Sequence, residues 1–259
     1  MVNCLLLSFF LFNIGLHEEL SPVMSVSEKF FMNFLLVSAI VIHFWLKYSD
    51  PGFVDANQKL NSSLDDSNYC DKCNLKRDQS NWVGHCPICS NCVLGRDHHC
   101  FYVDNCIGFL NHKIYLVYLL NLDTLFIYTV YSIYKHLSNL KCNIIASDSN
   151  LGSCLFDVYY SNFSRSFLTL LFIQLGPIII FVNMLLIQQF FFISIGRTQY
   201  QLYKKSQKNI RFSLFVYVIE NFNIKNFLKN MFYFCRVRTK SVNAQKTSNN
   251  QFSLHDHFI

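Results

Sequence analysis

Long apolar runs alternate with polar connections along this chain, and the runs are too continuous for the half-buried faces of a soluble domain. Four stretches, residues 2–16, 30–46, 114–134 and 167–195, stand out against the roughly 20 apolar residues that cross a bilayer. They predict four membrane helices in two hairpins. The first is short, but it has no basic leader and no small-residue cleavage site before His17-Glu18-Glu19, which favours a retained span over a signal peptide. The last is long enough to tilt or to continue as a helix beyond the bilayer.

The polar connections divide the chain further. Ser49-Asp50-Pro51-Gly52 predicts a turn that ends the second helix at the membrane edge. Residues 55–68 are polar and turn-rich, as in an exposed linker, and residues 69–108 are dense in Cys and His with little apolar periodicity. Disorder or metal-imposed order are the alternatives for that module. The tail carries Lys204, Lys205 and Lys208, an apolar stretch at 212–219 and a polar end at 241–250; no repeat at solenoid spacing is present. The expected organisation is a first hairpin over 1–47, a turn and linker over 48–68, a Cys-rich domain over 69–113, a second hairpin over 114–196 and a tail over 197–259. The fold class is therefore an all-α integral membrane protein with the Cys-rich domain between its second and third spans.

Composition strengthens this picture. Only 15% of the 259 residues are charged, 52% are hydrophobic and 27 are Phe, whereas soluble domains carry about a quarter charged residues. Charge then orients the spans. Residues 47–113 hold seven Lys and Arg and the tail from Arg197 holds eleven, against four (Lys29, Lys135, Lys141, Arg165) in the other two connections. Positive residues concentrate on the cytosolic side, which puts the Cys-rich domain, the tail and both termini in the cytosol. The net charge of +6 reads as topology, and no nucleic-acid-binding signature accompanies it.

Seven of the eleven cysteines lie between Cys70 and Cys106: Cys70-x2-Cys73, His85-Cys86-x2-Cys89-x2-Cys92, and Asp97-His98-His99-Cys100-x5-Cys106. In a reducing compartment such density means metal or catalysis rather than disulfides. Structural zinc takes four thiolate or imidazole ligands, so six Cys and two His complete two sites and leave one of each over. The arithmetic does not say which. Asp97-His98 beside Cys100 is the arrangement that generates a thiolate, since a carboxylate orients an imidazole that accepts the thiol proton. Spacing alone leaves Cys100 as either nucleophile or metal ligand.

The stretch 69–115, with its CxxC, HCxxCxxC, DHHC and Asn105-Cys106-Ile107-Gly108-Phe109-Leu110-Asn111, resembles the DHHC family of protein S-acyltransferases, or palmitoyltransferases. Asp50-Pro51-Gly52 matches the DPG motif after that family's second span, and two spans flank the domain on each side. The resemblance implies two structural zinc sites, Cys70, Cys73, His85 and Cys92 in one and Cys86, Cys89, His99 and Cys106 in the other. It also implies a catalytic Cys100, an activating His98, a polarising Asp97 and the family's trailing asparagine at Asn111. Long-chain acyl-CoA such as palmitoyl-CoA is the implied co-substrate. Proteins with membrane-proximal cysteines and the bilayer are the implied partners, in an endomembrane such as the ER or Golgi.

Several positions depart from the family pattern. Eleven residues separate Cys73 from His85, the Arg-Pro-x-Arg run is missing, and Phe101-Tyr102 stands for Pro-Trp after Cys100. Of the TTxE motif only Arg197-Thr198-Gln199-Tyr200 remains, with Tyr200 in place of the glutamate, and Asn226-Phe227 matches a C-terminal asparagine-aromatic element loosely. These changes support a runner-up reading, a weakly active or inactive family member serving as a zinc-stabilised membrane scaffold. A RING-type ligase is disfavoured because a RING ends in CxxC, and a secreted disulfide domain conflicts with the cytosolic placement. Among weaker signals, Lys204, Lys205, Lys208 and Arg211 suit anionic lipid better than CoA phosphates. Asp123, within the third span, needs a polar partner such as Asn33, His43 or Asn183. Cys142 and Cys154 are a candidate luminal disulfide, Asn162 heads a sequon near the fourth span, Cys235 is a candidate acylation site, and Cys4 packs.

Overall fold

The computed structural model describes residues 24–54, 69–73, 75–76, 83–139, 151–208 and 224–236. The expected first span, the linker, Cys4, Arg211, Cys142 and the stretches 212–219 and 241–250 lie outside these residues, as do the side chains of Cys154, Asn162, Lys205, Lys208, Asn226 and Cys235. The described residues belong to two compact units. One takes the chain up to Val41 and from Tyr118 to Leu186; the other takes Ile42–Val117 and the chain from Ile187 onward.

Among the described residues, three long helices carry apolar runs: α1 (Val26–Tyr48), α2 (His112–Asn139) and α3 (Leu151–Ser194). Among the described residues, Val26–Tyr48, His112–Lys135 and Leu168–Ser194 are long and apolar enough to cross a membrane. Each helix begins or ends beyond the span expected from the sequence, because its polar flanks are helical too. α1 opens on a capping box: the Glu28 N–H donates to Ser25 Oγ at 3.3 Å, and the Ser25 N–H to Glu28 Oε2 at 2.7 Å.

In the first unit Leu35, Leu36 and Ala39 of α1 pack on Leu125 of α2, flanked by Ile40, Leu122 and Tyr128. Polar side chains there pair with one another, as hydrocarbon surroundings require. Asn121 Nδ2 donates to Ser38 Oγ at 2.7 Å, and Lys135 Nζ donates to Glu28 at 2.8 Å. Asn183 Nδ2 donates to Asp123 Oδ1 at 2.8 Å, so of the three partners expected for Asp123, Asn183 is the one bonded to it. Pro177 sits inside α3, where its missing N–H is tolerated in a membrane helix whose neighbours resatisfy the backbone.

The second unit corrects the all-α expectation. Among the described residues its Cys-rich module holds three two-stranded antiparallel hairpins: β1 (Tyr69–Cys70) with β2 (Leu75–Lys76), β3 (Gly84–Cys86) with β4 (Asn91–Val93), and β5 (His98–Cys100) with β6 (Asn105–Ile107). Strands of two or three residues are too short for an alternating pattern to show.

The DPG turn ties this module to the end of α1. Asp50 Oδ1 accepts the N–H groups of Gly52 and Phe53 at 2.8 and 2.9 Å. The chain then lies along β4, with the Leu94 N–H donating to Gly52 O and the Val54 N–H to Cys92 O. Gly108 fits beneath the turn because a Cβ there would lie 2.5 Å from Pro51 O. Asn105 Nδ2 donates to the carbonyls of Leu46 and Ser49 at 2.9 and 2.8 Å, meeting acceptors at the end of α1. Asn111, fully buried, donates to Cys106 O at 2.9 Å and accepts from the Gly108 N–H at the start of α2.

Among the described residues, α4 (Gln199–Lys208) and α5 (Ile224–Arg236) follow α3. Thr198 caps α4 in a second capping box, its Oγ1 accepting the Gln201 N–H while Gln201 Oε1 accepts the Thr198 N–H. On α5 Asn230 is buried, and its Nδ2 donates to Ser194 O at 2.7 Å.

Candidate active site and metal centres

The ligand atoms of Cys70, Cys73, His85 and Cys92 lie within 4.8 Å of one another, and so do those of Cys86, Cys89, His99 and Cys106. Backbone pairing brings the donors together. His85 stands opposite Cys92 across β3–β4, and His99 opposite Cys106 across β5–β6. In the first set His85 Nδ1 is 3.1 Å from Cys73 Sγ. In the second, His99 Nδ1 faces Cys89, Cys106 and Cys86 Sγ at 3.3, 3.7 and 3.8 Å.

Three thiols and one imidazole converging in this way suit zinc. Burial pushes the thiols of Cys92 and Cys106 up, and the neighbouring cysteines of each set push them further. A cation removes that penalty, because thiol ligands deprotonate on coordination. The donor chemistry of both sets therefore fits zinc.

Cys100 belongs to neither set. It ends β5, is 6% exposed, and lies close enough to His98 for the imidazole to act on its thiol. His98 Nδ1 in turn donates to Asp97 Oδ2 at 3.0 Å, and the ring meets Tyr115 edge-on at 5.3 Å between centroids. The thiol thus has beside it an imidazole that is hydrogen-bonded to a carboxylate. Burial opposes ionisation of Cys100, but the hydrogen bond and charge of His98, with the Val103 and Tyr102 N–H groups, pull the thiol below its usual value. Burial likewise disfavours a charged His98, yet the hydrogen bonds and charges of Asp97 and Cys100 raise it to about 9.

Asp97 has a fully buried side chain and more donors than the DHHC run contains. Besides His98, it accepts Gln189 Nε2 at 3.1 Å on Oδ2 and the Gln199 N–H at 2.7 Å on Oδ1. Burial works against its ionisation. The His98 hydrogen bond, the charges of His112 and His98 and the Gln199 amide prevail and hold the carboxyl at about 2. Gln189 and the first amide of α4 escaped sequence reasoning. The available signals were a glutamine near the end of an apolar run and the T-x-x-Q capping box over Thr198–Gln201.

The TTxE remnant takes a different form from the expected loss. The Arg96 guanidinium lies 4.8 Å from the centre of the Tyr200 ring, within cation–π range. The same ring closes over Gly84, where a Cβ would approach it to 2.7 Å. Phe101 and Tyr102, which follow Cys100, are both exposed.

Two Cys/His clusters of zinc-binding character, with the Cys100 thiol in neither of them and membrane-length helices on either side in sequence, define a class of membrane-helix proteins with a Cys/His-rich module. Residues 63–206 match the family described as DHHC palmitoyltransferase, more than half of the chain, and the protein belongs to that family. It is similar to palmitoyltransferase akr1 of Neurospora crassa, 32% identical over 188 residues covering 65% of this chain and 24% of that protein. Palmitoyltransferase ZDHHC13 of Mus musculus is 30% identical over 129 residues, 46% of this chain and 20% of the mouse protein. Probable protein S-acyltransferase 13 of Arabidopsis thaliana is 33% identical over 117 residues, 38% of each. The chain thus spans between a fifth and two fifths of the length of these relatives.

Proposed function

We propose that the protein is a protein S-acyltransferase that carries a long-chain acyl group on Cys100 from acyl-CoA to cysteines of membrane-proximal proteins. The observation that carries this reading is the Asp97–His98 hydrogen bond next to Cys100, a thiol that belongs to neither of the two complete metal-binding sets.

Cys100, as thiolate, attacks the thioester carbonyl of the acyl-CoA. The carbon–sulfur bond to CoA breaks, and the departing CoA thiolate takes the proton held on His98. In the second half, His98 accepts the proton of a substrate thiol. That sulfur attacks the Cys100 thioester, and Cys100 leaves as thiolate with its imidazolium partner restored. Each half exchanges one thioester for another, the general advantage of a covalent intermediate. Asp97 keeps the imidazole oriented and stabilises its charge throughout.

Zinc held by Cys70, Cys73, His85 and Cys92, and by Cys86, Cys89, His99 and Cys106, supplies structure. Four protein donors per site leave no open position. The arrangement we favour has four spans in two hairpins, with the Cys-rich domain and both termini in an endomembrane's cytosol. The basic residues of 47–113 and of the tail support that orientation. Cys100 then lies at the membrane interface, where an acyl chain meets hydrocarbon while CoA stays in water.

The test is labelled palmitoyl-CoA given to the purified chain beside Cys100→Ala and Cys100→Ser. Hydroxylamine-sensitive label on the wild type alone supports the acyl-enzyme. No label on a wild type holding two zinc ions transfers the case to the scaffold reading.

A further inference from the structure

We infer that Gln189, anchored by His112, is a positioning residue that holds the Asp97 carboxylate in register for His98. The inference rests on the S-acyltransferase reading for its consequence in turnover, and on geometry alone for its effect on Cys100.

Gln189 is 3% exposed near the end of α3. Its Oε1 lies 2.6 Å from His112 Nε2, and its Nε2 donates to Asp97 Oδ2 at 3.1 Å. The two contacts define the amide's orientation: the carbonyl accepts from the imidazole N–H, and the NH2 group faces the carboxylate. His112 also meets Phe234 of α5 edge-on at 5.3 Å, so the anchor is itself held in place.

The oxygen that Gln189 binds is the one that accepts His98 Nδ1. The carbon–carboxylate torsion of Asp is intrinsically broad, so a single imidazole donor leaves the carboxylate free to swing. A second donor on Oδ2 and the Gln199 amide on Oδ1 fix its plane. The direction in which His98 presents its other nitrogen to Cys100 is thereby fixed as well. Simple satisfaction of a buried glutamine between helices would use the same hydrogen bonds, but it would not make the reactivity of Cys100 depend on them. Among the described residues the side-chain hydrogen bonds of Gln189 go to His112 and Asp97, neither of them a metal-ligand residue, so its loss leaves the zinc ligands' own bonds in place.

The experiment compares the full-length wild type, Gln189→Leu, His112→Phe and the double variant, each checked for two zinc ions. One readout is single-turnover CoA release from palmitoyl-CoA. The other is the rate of iodoacetamide alkylation at Cys100, quantified by peptide mass spectrometry. We expect Gln189→Leu to lower both maximal rates by roughly tenfold or more, the scale of one hydrogen bond to a charged group. KM for palmitoyl-CoA should stay within about twofold, because Gln189 acts through Asp97 and not on substrate. His112→Phe should show a smaller loss that vanishes in the Gln189→Leu background, since it acts through the same amide.

A zinc-loaded Gln189→Leu protein that alkylates and turns over like wild type overturns the inference, as does a raised KM at unchanged maximal rate. If Gln189→Leu does not retain zinc, His112→Phe decides by the same two rates. A wild type that alkylates at Cys100 but releases no CoA refutes the acyltransferase reading alone, and slowed alkylation in the variants then still upholds the positioning role.

Discussion

The hairpins β3–β4 and β5–β6 are built on one frame and put it to different uses. His85-Cys86-Pro87-Ile88-Cys89-Ser90-Asn91-Cys92 and His99-Cys100-Phe101-Tyr102-Val103-Asp104-Asn105-Cys106 share His, Cys, Asn and Cys at equivalent positions. The cross-strand registers match pair for pair, and the loop residues Ser90 and Asp104 both adopt φ of 54°. Cys86 and Cys100 therefore occupy the same place in the frame. Cys86 has Cys89 nearby and joins a metal-binding set; at the position of Cys89 the second hairpin has Val103, fully buried and without a donor. Before the shared histidine the first hairpin has Val83-Gly84 and the second Asp97-His98. One frame thus yields a structural thiol where a further thiol stands beside it, and an activated thiol where an imidazole and carboxylate replace the small residues.

The largest effect should come from removing equivalent ligands of the two hairpins. Cys106→Ser breaks the set whose His99 is the neighbour of Cys100, so loss of zinc there releases the strands that carry Cys100. We expect less than about one hundredth of wild-type acyl labelling, because metal binding in such modules is folding free energy. Cys92→Ser removes the matching donor from the hairpin without a reacting group. It should also lose one zinc but keep about a tenth of the labelling, since the β5–β6 ligands remain. Zinc content with labelling of the two proteins checks this. Equal losses would break the division of labour between the hairpins.

A smaller effect separates activation from stapling. His98→Ala should keep two zinc ions and lower CoA release at pH 7 by about 10²–10⁴-fold, the usual weight of a general base. The sign follows from the shifts: His98 is raised to about 9 and Cys100 is lowered, so the imidazole lets the wild-type thiol ionise at a lower pH than it would alone. Without the imidazole, burial acts on the thiol unopposed by His98 and moves it up. The gap between variant and wild type should then narrow as pH rises from 7 to 9. A constant ratio across that range would mean that His98 works by orientation and not by stabilising the thiolate.

How much of this was legible in the sequence differs by kind of residue. Cys and His carry their chemistry in their identity, so spacing and family resemblance sufficed to mark the eight residues that the structure gathers into two sets, and to single out Asp97-His98 beside Cys100. Gln189 and Gln199 lie 92 and 102 positions from the carboxylate they bind, and nothing in a glutamine within an apolar run announces a partner. The repeated frame escaped notice because its strands are too short to show periodicity and its repeat is far shorter than a solenoid's. The apolar runs marked the helices but not their ends, which polar residues extend.

Tyr200 offers the smallest and sharpest contrast between the hairpins. Read as a lost glutamate, it suggested a weakened site; in the structure its ring covers Gly84, the position that His98 holds in the second hairpin, and stacks on Arg96. Neighbouring Gln199 gives its amide to Asp97, so the ring seats the start of α4 against both hairpins at once. Tyr200→Phe keeps the ring and should leave acyl-enzyme formation within about twofold of wild type, because the cation–π contact needs only the aromatic face. Tyr200→Ala removes a contact of about 1 kcal/mol and should slow acyl-enzyme formation by about fivefold, with both zinc ions retained. Tyr200→Glu, which restores the family's residue, gives up the ring that Gly84 accommodates and should resemble Tyr200→Ala more than wild type. Single-turnover labelling of the three variants decides between the readings: a gain of rate in Tyr200→Glu would mean that the site is a weakened form of the family's, and a loss would mean that Gly84, Arg96 and Tyr200 form a working substitute.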